Sequence, residues 1–227
     1  MKPYNIVKEF EKAVAEYTGA PYAIAVDSCT NALLLCCEYL QVVQVILPSK
    51  TYVGVAYSVL NAGGSVVFQD YEWEGWYQLR PYPIIDSARR FYKGMFADAK
   101  DEVEVHCGKD CVVFVCLSFH WKKFIPIGRG GIILTNDDKA DKILRKMRFD
   151  GRAEDTEPKE DIFITPGHHC YMLPEEAARG LLFMSDVKDY YEDLPEPNYP
   201  DLSKNFVYTK GSKWWLYKGE KNGSNNT

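Results

Sequence analysis

The sequence predicts an α/β fold, a mostly parallel sheet flanked by helices with a short C-terminal β-hairpin as an appendage. Three observations predict it. Short apolar runs, among them YAIAV (22–26), QVVQVILP (41–48) and CVVFVCL (111–117), alternate with segments of helical spacing. Such alternation places strands in one sheet and covers it with helices. Several of the runs end in a small or acidic residue, which is where open α/β sheets carry their sites. A length of 227 residues suits one well-buried domain and little more.

In chain order, Val7, Phe10, Ala13, Val14 and Tyr17 recur at helical spacing and Gly19 follows as a C-cap, so the first element is an amphipathic helix. YAIAV is a strand, and Ser28 or Thr30 caps the helix that carries Leu33, Leu34 and Cys37. QVVQVILP is the next strand. TYVGVAYSVLNAGG (51–64) is a helix closed by its glycines, and SVVFQD (65–70) and PIIDSA (83–88) are short buried strands. Residues 87–110 are expected to be helical and then polar. CVVFVCLSF (111–119) and GGIILTND (130–137) read as paired strands, followed by helices over DDKADKILRKMRFDG (137–151) and LPEEAARGLLFM (173–184), the second with Pro174 in its first turn. The prolines after Met184 suggest a division into an α/β domain at 1–184, a linker at 185–203, a β-hairpin at 204–218 and a disordered tail at 219–227. Trp214 and Trp215 are read as hairpin packing.

Charge and cysteine usage narrow the function classes. A formal net charge of -5 offers no basic footprint for direct nucleic-acid binding or for an anionic membrane. The longest apolar runs are too short to span a bilayer, and the N-terminal 17 residues are charged and amphipathic, so the chain reads as cytoplasmic. Seven cysteines at irregular spacing, Cys36, Cys37, Cys111 and Cys116 among them in apolar segments, are expected to be reduced core thiols. The spacings around His106, Cys107, Cys111, His168, His169 and Cys170 fit no standard metal pattern, and no metal is expected.

The residues at the strand ends carry the chemistry. Ser28 and Thr30 open a helix after a strand, Asp86 closes one strand, Ser118 closes another, and Lys122 and Lys123 lie just beyond. A helix N-terminus with hydroxyls binds a phosphate, a carboxylate keeps a pyridine nitrogen protonated, and a lysine amine bonds an aldehyde as a Schiff base. Pyridoxal 5'-phosphate needs all three. Each residue also has a plainer role: Asp86 as the N-cap of SARRFYKG (87–94), Tyr52 as a core aromatic, Ser28 as a cap, either lysine as a solvated loop charge.

Order and context resemble the DegT/StrS-type PLP-dependent sugar aminotransferases. EYTGAPYAIAVDSCTNALLL matches that family's opening pattern, and VILPSKTYVGVAYSVLNAGGSVVFQD its next segment. IDSARR matches its pyridine-nitrogen motif, SFHWKKFIPIGRGG its serine, lysine and glycine-rich turn, and GHHCYMLPEEAARG a later motif. The resemblance implies the large domain of fold-type-I PLP transferases. It implies Lys123, over Lys122, and Asp86 as catalytic residues, with Ser28, Cys29, Thr30, Tyr52, Arg89, Ser118 and His169 about the cofactor. Tyr52 would stack on the cofactor ring. A homodimer is implied, with His169 near the partner's cofactor phosphate, and so is a small-molecule substrate such as a nucleotide-linked sugar. Departures accompany the match: Cys29 stands for a glycine, Arg89 for glutamine or histidine, Arg129 for glutamate, His169 for asparagine and Tyr171 for arginine. The sequence reads as a compacted member without the full C-terminal domain. The expected reaction is amino-group transfer from an amino acid to a keto or aldehyde acceptor. The alternatives are decarboxylation of an amino-acid-like or aminoacylated nucleotide substrate, and a non-catalytic regulator.

Overall fold

The computed structural model describes residues 4–108, 111–195 and 197–205. Beyond Asn205, the hairpin expected to 218 and the tail lie outside the described residues. Helix α1 (Asn5–Thr18) buries Val7, Phe10, Val14 and Tyr17 and ends at Gly19, whose φ of 77° lets its N–H reach the Ala15 carbonyl. Then follow β1 (Tyr22–Val26), α2 (Cys29–Tyr39), β2 (Gln44–Pro48), α3 (Val53–Asn61), β3 (Ser65–Gln69), β4 (Tyr77–Gln78), β5 (Ile84–Asp86) and α4 (Met95–Cys107). The chain continues through β6 (Phe114–Ser118), β7 (Gly131–Thr135), α5 (Asp138–Met147), α6 (Pro174–Met184) and a single turn, α7 (Leu202–Asn205).

The main sheet has the order β1-β7-β6-β5-β4, and β2 and β3 form a separate parallel pair. β7 is antiparallel to both β1 and β6, while β5 runs parallel to β6. β1, β5 and β6 therefore share one direction. An antiparallel bridge from Arg80 to Ile46 links the chain just after β4 to β2, so β2 and β3 point the same way too. The parallel expectation holds for these strands, with β4 and β7 reversed.

Alternation along the strands supplies both faces. Ala23, Ala25, Val115, Leu117, Ile132 and Leu134 pack with Val7, Phe10, Met95 and Ala177 in one core. Ile24, Val26, Phe114, Cys116 and Ile133 pack with Leu33, Val55 and Leu144 in the other. α5 begins where Asp137 accepts the Lys139 N–H at 2.9 Å, with Asp138 and Asp141 in its first turn and Arg145 and Lys146 in its last, the placement its dipole favours.

Four expectations change. Residues 87–94 are not helical; the chain there is held as a loop by the Asp86 carboxylate, which accepts the Ala88 N–H at 3.0 Å, and by main-chain pairing of Leu194 N–H with Arg89 O at 3.0 Å. Asp86 thus caps a turn, not a helix. β3 is half-buried rather than buried, because only β2 pairs with it. Cys111 is disulfide-bonded while Cys29, Cys36, Cys37, Cys116 and Cys170 are free; β6 starts only at Phe114, which leaves Cys111 in the connection, half-buried against the core's edge. Finally, the proline-rich stretch after Met184 is fastened to the domain. Asp193 binds Arg90 through two oxygens, Asp189 pairs with Lys93 at 3.0 Å, and Leu202 N–H reaches Ser49 O at 2.8 Å.

A buried ion network ties α1 to α5. Glu11 accepts from the Ala25 N–H at 2.8 Å, Arg145 at 2.7 Å and Arg148 at 2.5 Å, and Arg148 also binds Glu154 at 2.6 Å. Burial alone would raise the Glu11 pKa, but Arg148 and Arg145 overcome it and hold the carboxyl below the ordinary glutamate value. The resulting stabilisation is complete above that ordinary value and is lost as pH falls through the lowered folded-state value. Glu11→Gln is expected to cost about 3 kcal/mol, roughly 10 °C in Tm, at neutral pH. Melting curves of both proteins from neutral to acid should show the gap closing as pH falls; a gap that widened in acid would contradict the network.

Candidate active site

One cavity of about 660 Å³ opens at the carboxyl ends of β1, β2, β5 and β6. Ser28, Cys29 and Thr30 line it from the start of α2, Tyr52 from the start of α3, Asp86 from the end of β5 and Arg89 from the loop that follows, Ser118 from the end of β6 and Lys123 from the loop beyond. The expected residues thus meet there, except His169. That side chain is exposed on a separate loop, with Nδ1 at 2.8 Å from Asp150. A larger groove of about 900 Å³ lies at the amino end of β1 between α1 and α5. Its charges are largely matched internally, with Lys8 on Asp155 and Arg145 on Glu11.

The start of α2 is built as an anion cradle. Ser28 caps the helix, its Oγ accepting the Asn31 N–H at 3.2 Å and its carbonyl accepting the Ala32 N–H at 3.0 Å. The N–H groups of Cys29 and Thr30 then face outward as first-turn donors. Asp27, unnoticed in the sequence, organises this turn: Oδ1 accepts from Ser28 Oγ at 3.0 Å and Asn31 Nδ2 at 2.6 Å, and Oδ2 accepts from Arg129 at 2.6 Å. A Cβ on Gly131 would lie 2.4 Å from Ser28 C and 2.5 Å from Cys29 N, so only glycine lets β7 carry the turn this closely. Cys29 is helical with no positive φ, which is why a side chain replaces glycine there without backbone strain.

Asp86 is the buried acid of the cavity, 7% exposed. Tyr77 OH donates to its Oδ2 at 3.1 Å and is itself 2.6 Å from Thr51 Oγ1; Cys29 Sγ lies 4.0 Å from Oδ1. Burial raises its pKa, opposed by the Ala88 N–H, Tyr77, Lys123 and Arg89. A carboxylate stripped of water in this way is best matched by a cationic hydrogen-bond donor on a ligand. Burial also raises the thiol pKa of Cys29, with Asp86 adding to it, so that sulfur stays protonated at neutral pH.

The two lysines part company. Lys122 is exposed with its amine over the Trp121 ring at 4.7 Å. Lys123 is half-buried, and burial lowers its pKa against the pull of Asp86. A larger neutral fraction makes the better nucleophile. The turn that presents it is closed by Lys123 N–H on His120 O at 2.8 Å and Trp121 N–H on Gly128 O at 3.1 Å. Tyr52 is 53% exposed at the rim, 6.5 Å between ring centroids from Tyr199.

Sequence reasoning missed Tyr77, Thr51, Asp27 and the strap of Leu194, Pro197 and Tyr199 across the cavity. Only the place of Tyr77 in a short buried strand could have flagged it. Tyr77→Phe should strip Asp86 of one donor, push its pKa higher and cost about 1–3 kcal/mol. Thermal melting of the variant checks this; an unchanged Tm would show the hydroxyl to be dispensable.

Residues 1–83 and 107–193 match the DegT/DnrJ/EryC1/StrS aminotransferase family. The unmatched stretch holds Asp86 and Arg89, so their assignment rests on where the fold brings them. GDP-perosamine synthase of Caulobacter vibrioides is 31% identical over 221 residues, 82% of this chain and 58% of its own length. Spore coat polysaccharide biosynthesis protein SpsC of Bacillus subtilis is 24% identical, over 93% of this chain and 67% of its own. Among solved structures, the sugar aminotransferase CalS13 from Micromonospora echinospora superposes with a TM-score of 0.62 at 16% identity, covering 79% of this chain and 60% of its own. PseC of Helicobacter pylori gives 0.62 at 18% identity, with 80% and 57% covered. The fold is thus that of the sugar aminotransferases, and the chain spans 58% of the length of the perosamine enzyme.

Proposed function

The chain belongs to the DegT/DnrJ/EryC1/StrS aminotransferase family, and from that premise we propose that it is a PLP-dependent aminotransferase, moving an amino group from an amino acid to a keto or aldehyde carbon of a nucleotide-linked sugar. One observation carries the reading: a half-buried lysine amine, Lys123, shares a cavity with a buried carboxylate, Asp86, and a free helix N-terminus. The donor set fits pyridoxal phosphate, with N–H groups at Cys29 and Thr30, on the turn that Ser28 caps, for its phosphate, Asp86 for its ring nitrogen and Lys123 for its aldehyde. Bound there, the cofactor would supply an electron sink and an aldehyde for amine exchange.

The chain's own residues do the rest. Asp86, fixed by Tyr77 and the Ala88 N–H, holds a proton on the ring nitrogen. Lys123, with its amine free, would take the proton from the donor's Cα and return one on the other side of the transferred nitrogen. Burial lowers its pKa, which gives it a larger neutral fraction to accept that proton than a solvated lysine has. Strap residues Leu194, Pro197 and Tyr199 cover one side and limit water. The sugar acceptor is supported by the likeness to GDP-perosamine synthase, which aligns over 82% of this chain. His169, exposed and steadied by Asp150, suits a role in a second subunit's site, and the protein is accordingly proposed to be a homodimer. Light scattering on the active protein should give twice the chain mass; a monomer that still turns over contradicts it.

A second reading has one observation in its favour. The buried cation Arg89 could seat a carboxylate that then leaves as carbon dioxide, so decarboxylation is carried as the alternative. A non-catalytic regulator accounts for neither Lys123 nor Asp86. Borohydride reduction of the purified protein loaded with pyridoxal phosphate, followed by peptide mapping, tests the main reading. The pyridoxyl group is expected on Lys123; finding it on Lys122, or on no residue, overturns the assignment.

A further inference from the structure

Arg89 is a buried guanidinium at the cavity wall, 5% exposed. Arg90, Arg129, Arg145 and Arg148 each pair with a carboxylate. Among the described residues no carboxylate lies within ion-pair distance of Arg89. Asp86 is near enough to feel its charge, yet its oxygens are already taken by Tyr77 and the Ala88 N–H. What holds Arg89 is neutral: one terminal nitrogen donates to the Leu194 carbonyl, and the Tyr199 phenol lies against the guanidinium. Burying a guanidinium whose nearest counter-charge, Asp86, makes no direct pair with it is costly, and it carries five N–H donors, of which the strap occupies few. An anionic ligand in the cavity would relieve both.

The depth of Arg89 points to which anion. At the mouth, Arg129 is committed to Asp27 through two contacts, at 2.6 Å and 3.2 Å, and the Lys122 amine rests on Trp121. Beside Lys123, Arg89 is the cation left on the buried wall. An amino-acid donor must present its α-carboxylate one bond from the carbon that Lys123 deprotonates, so the carboxylate has to enter this inner part of the cavity. There it needs a cation. A planar fork meets a two-oxygen anion with parallel hydrogen bonds, a match that a single ring oxygen cannot make.

Resting on the aminotransferase reading, we propose that Arg89 seats the α-carboxylate of the amino-acid donor and so restricts donors to α-amino acids. Leu194 and Tyr199, by gripping the guanidinium from the strap, are positioning residues for that contact.

The test is calorimetric titration of glutarate, a dicarboxylate without an amino group, into the protein with and without bound pyridoxal phosphate, alongside the absorption spectrum of the bound cofactor. Glutarate should bind the wild-type protein, about tenfold or more weakly after Arg89→Gln and to an intermediate degree after Arg89→Lys, which keeps the charge and loses the fork. The spectrum of the resting, cofactor-bound protein should not change. Should Arg89→Gln fail to fold, Arg89→Lys carries the same comparison. No glutarate binding by the wild type, equal binding by the variants, or an effect confined to the resting cofactor band each overturns the assignment; the last places the guanidinium on the cofactor instead. If Lys123 takes up no pyridoxal phosphate while glutarate binding still depends on Arg89, the aminotransferase reading fails and the carboxylate site stands.

Discussion

Lys123→Ala is expected to reduce amino transfer by about 10⁴-fold or more, because in the proposed mechanism one amine serves both as the cofactor's anchor and as the proton carrier. The loss should not be a folding defect. Burial lowers the Lys123 pKa, so in the folded protein its ammonium form is disfavoured relative to the unfolded chain. That penalty is present below the ordinary lysine value and vanishes above it, so at neutral pH the wild type bears it and the variant does not. The Tm of Lys123→Ala should therefore equal or exceed that of the wild type. Lys122→Ala is the control, since that amine lies over Trp121 on the exposed side, and it should retain most of the rate. Initial rates and melting curves of the two variants check this, and comparable losses in both would refute the choice between the lysines.

Asp86→Asn is expected to cost about 10³-fold in kcat, the loss typical when a fixed electrostatic partner of the reacting group is removed. An amide of the same shape can keep the Ala88 N–H bond through its oxygen, so the loop after β5 should hold. It cannot hold a proton on the ring nitrogen by charge, and the electron sink weakens accordingly. Stability at neutral pH should not fall, because burial already raises the Asp86 pKa and makes its ionised form a cost to the fold. A variant with near-normal kcat would remove Asp86 from the mechanism.

What was legible in the sequence follows from the range of the interactions involved. The Ser28 turn, the strand end at Asp86 and the step from Ser118 to Lys123 are local patterns, fixed by a strand, a turn and a cap within a few residues, and they come together in one cavity. Asp27 was passed over because its meaning lies in Arg129, 102 positions away. Tyr77 reads as one aromatic among many until its hydroxyl meets Thr51 and Asp86. The helix expected at 87–94 gives way because Arg89 pairs with Leu194, 105 positions on, and the proline-rich stretch looked like a linker because composition reports missing secondary structure and says nothing of the Asp193–Arg90 clasp. Strand direction was legible where a helix crosses between strands and lost at β7, which returns beside β6 through the long loop that carries Lys123, with no helix between.

The measurement closest to the central claim is a single half-reaction. Protein loaded with pyridoxal phosphate is mixed with L-glutamate in the absence of any sugar acceptor, and the cofactor form, keto acid and carbon dioxide are quantified. The account predicts that the cofactor converts to pyridoxamine phosphate, that about one keto acid forms per site, and that the reaction then stops until an acceptor is added. Carbon dioxide and an amine released over many turnovers, with no pyridoxamine phosphate and no keto acid, would contradict it.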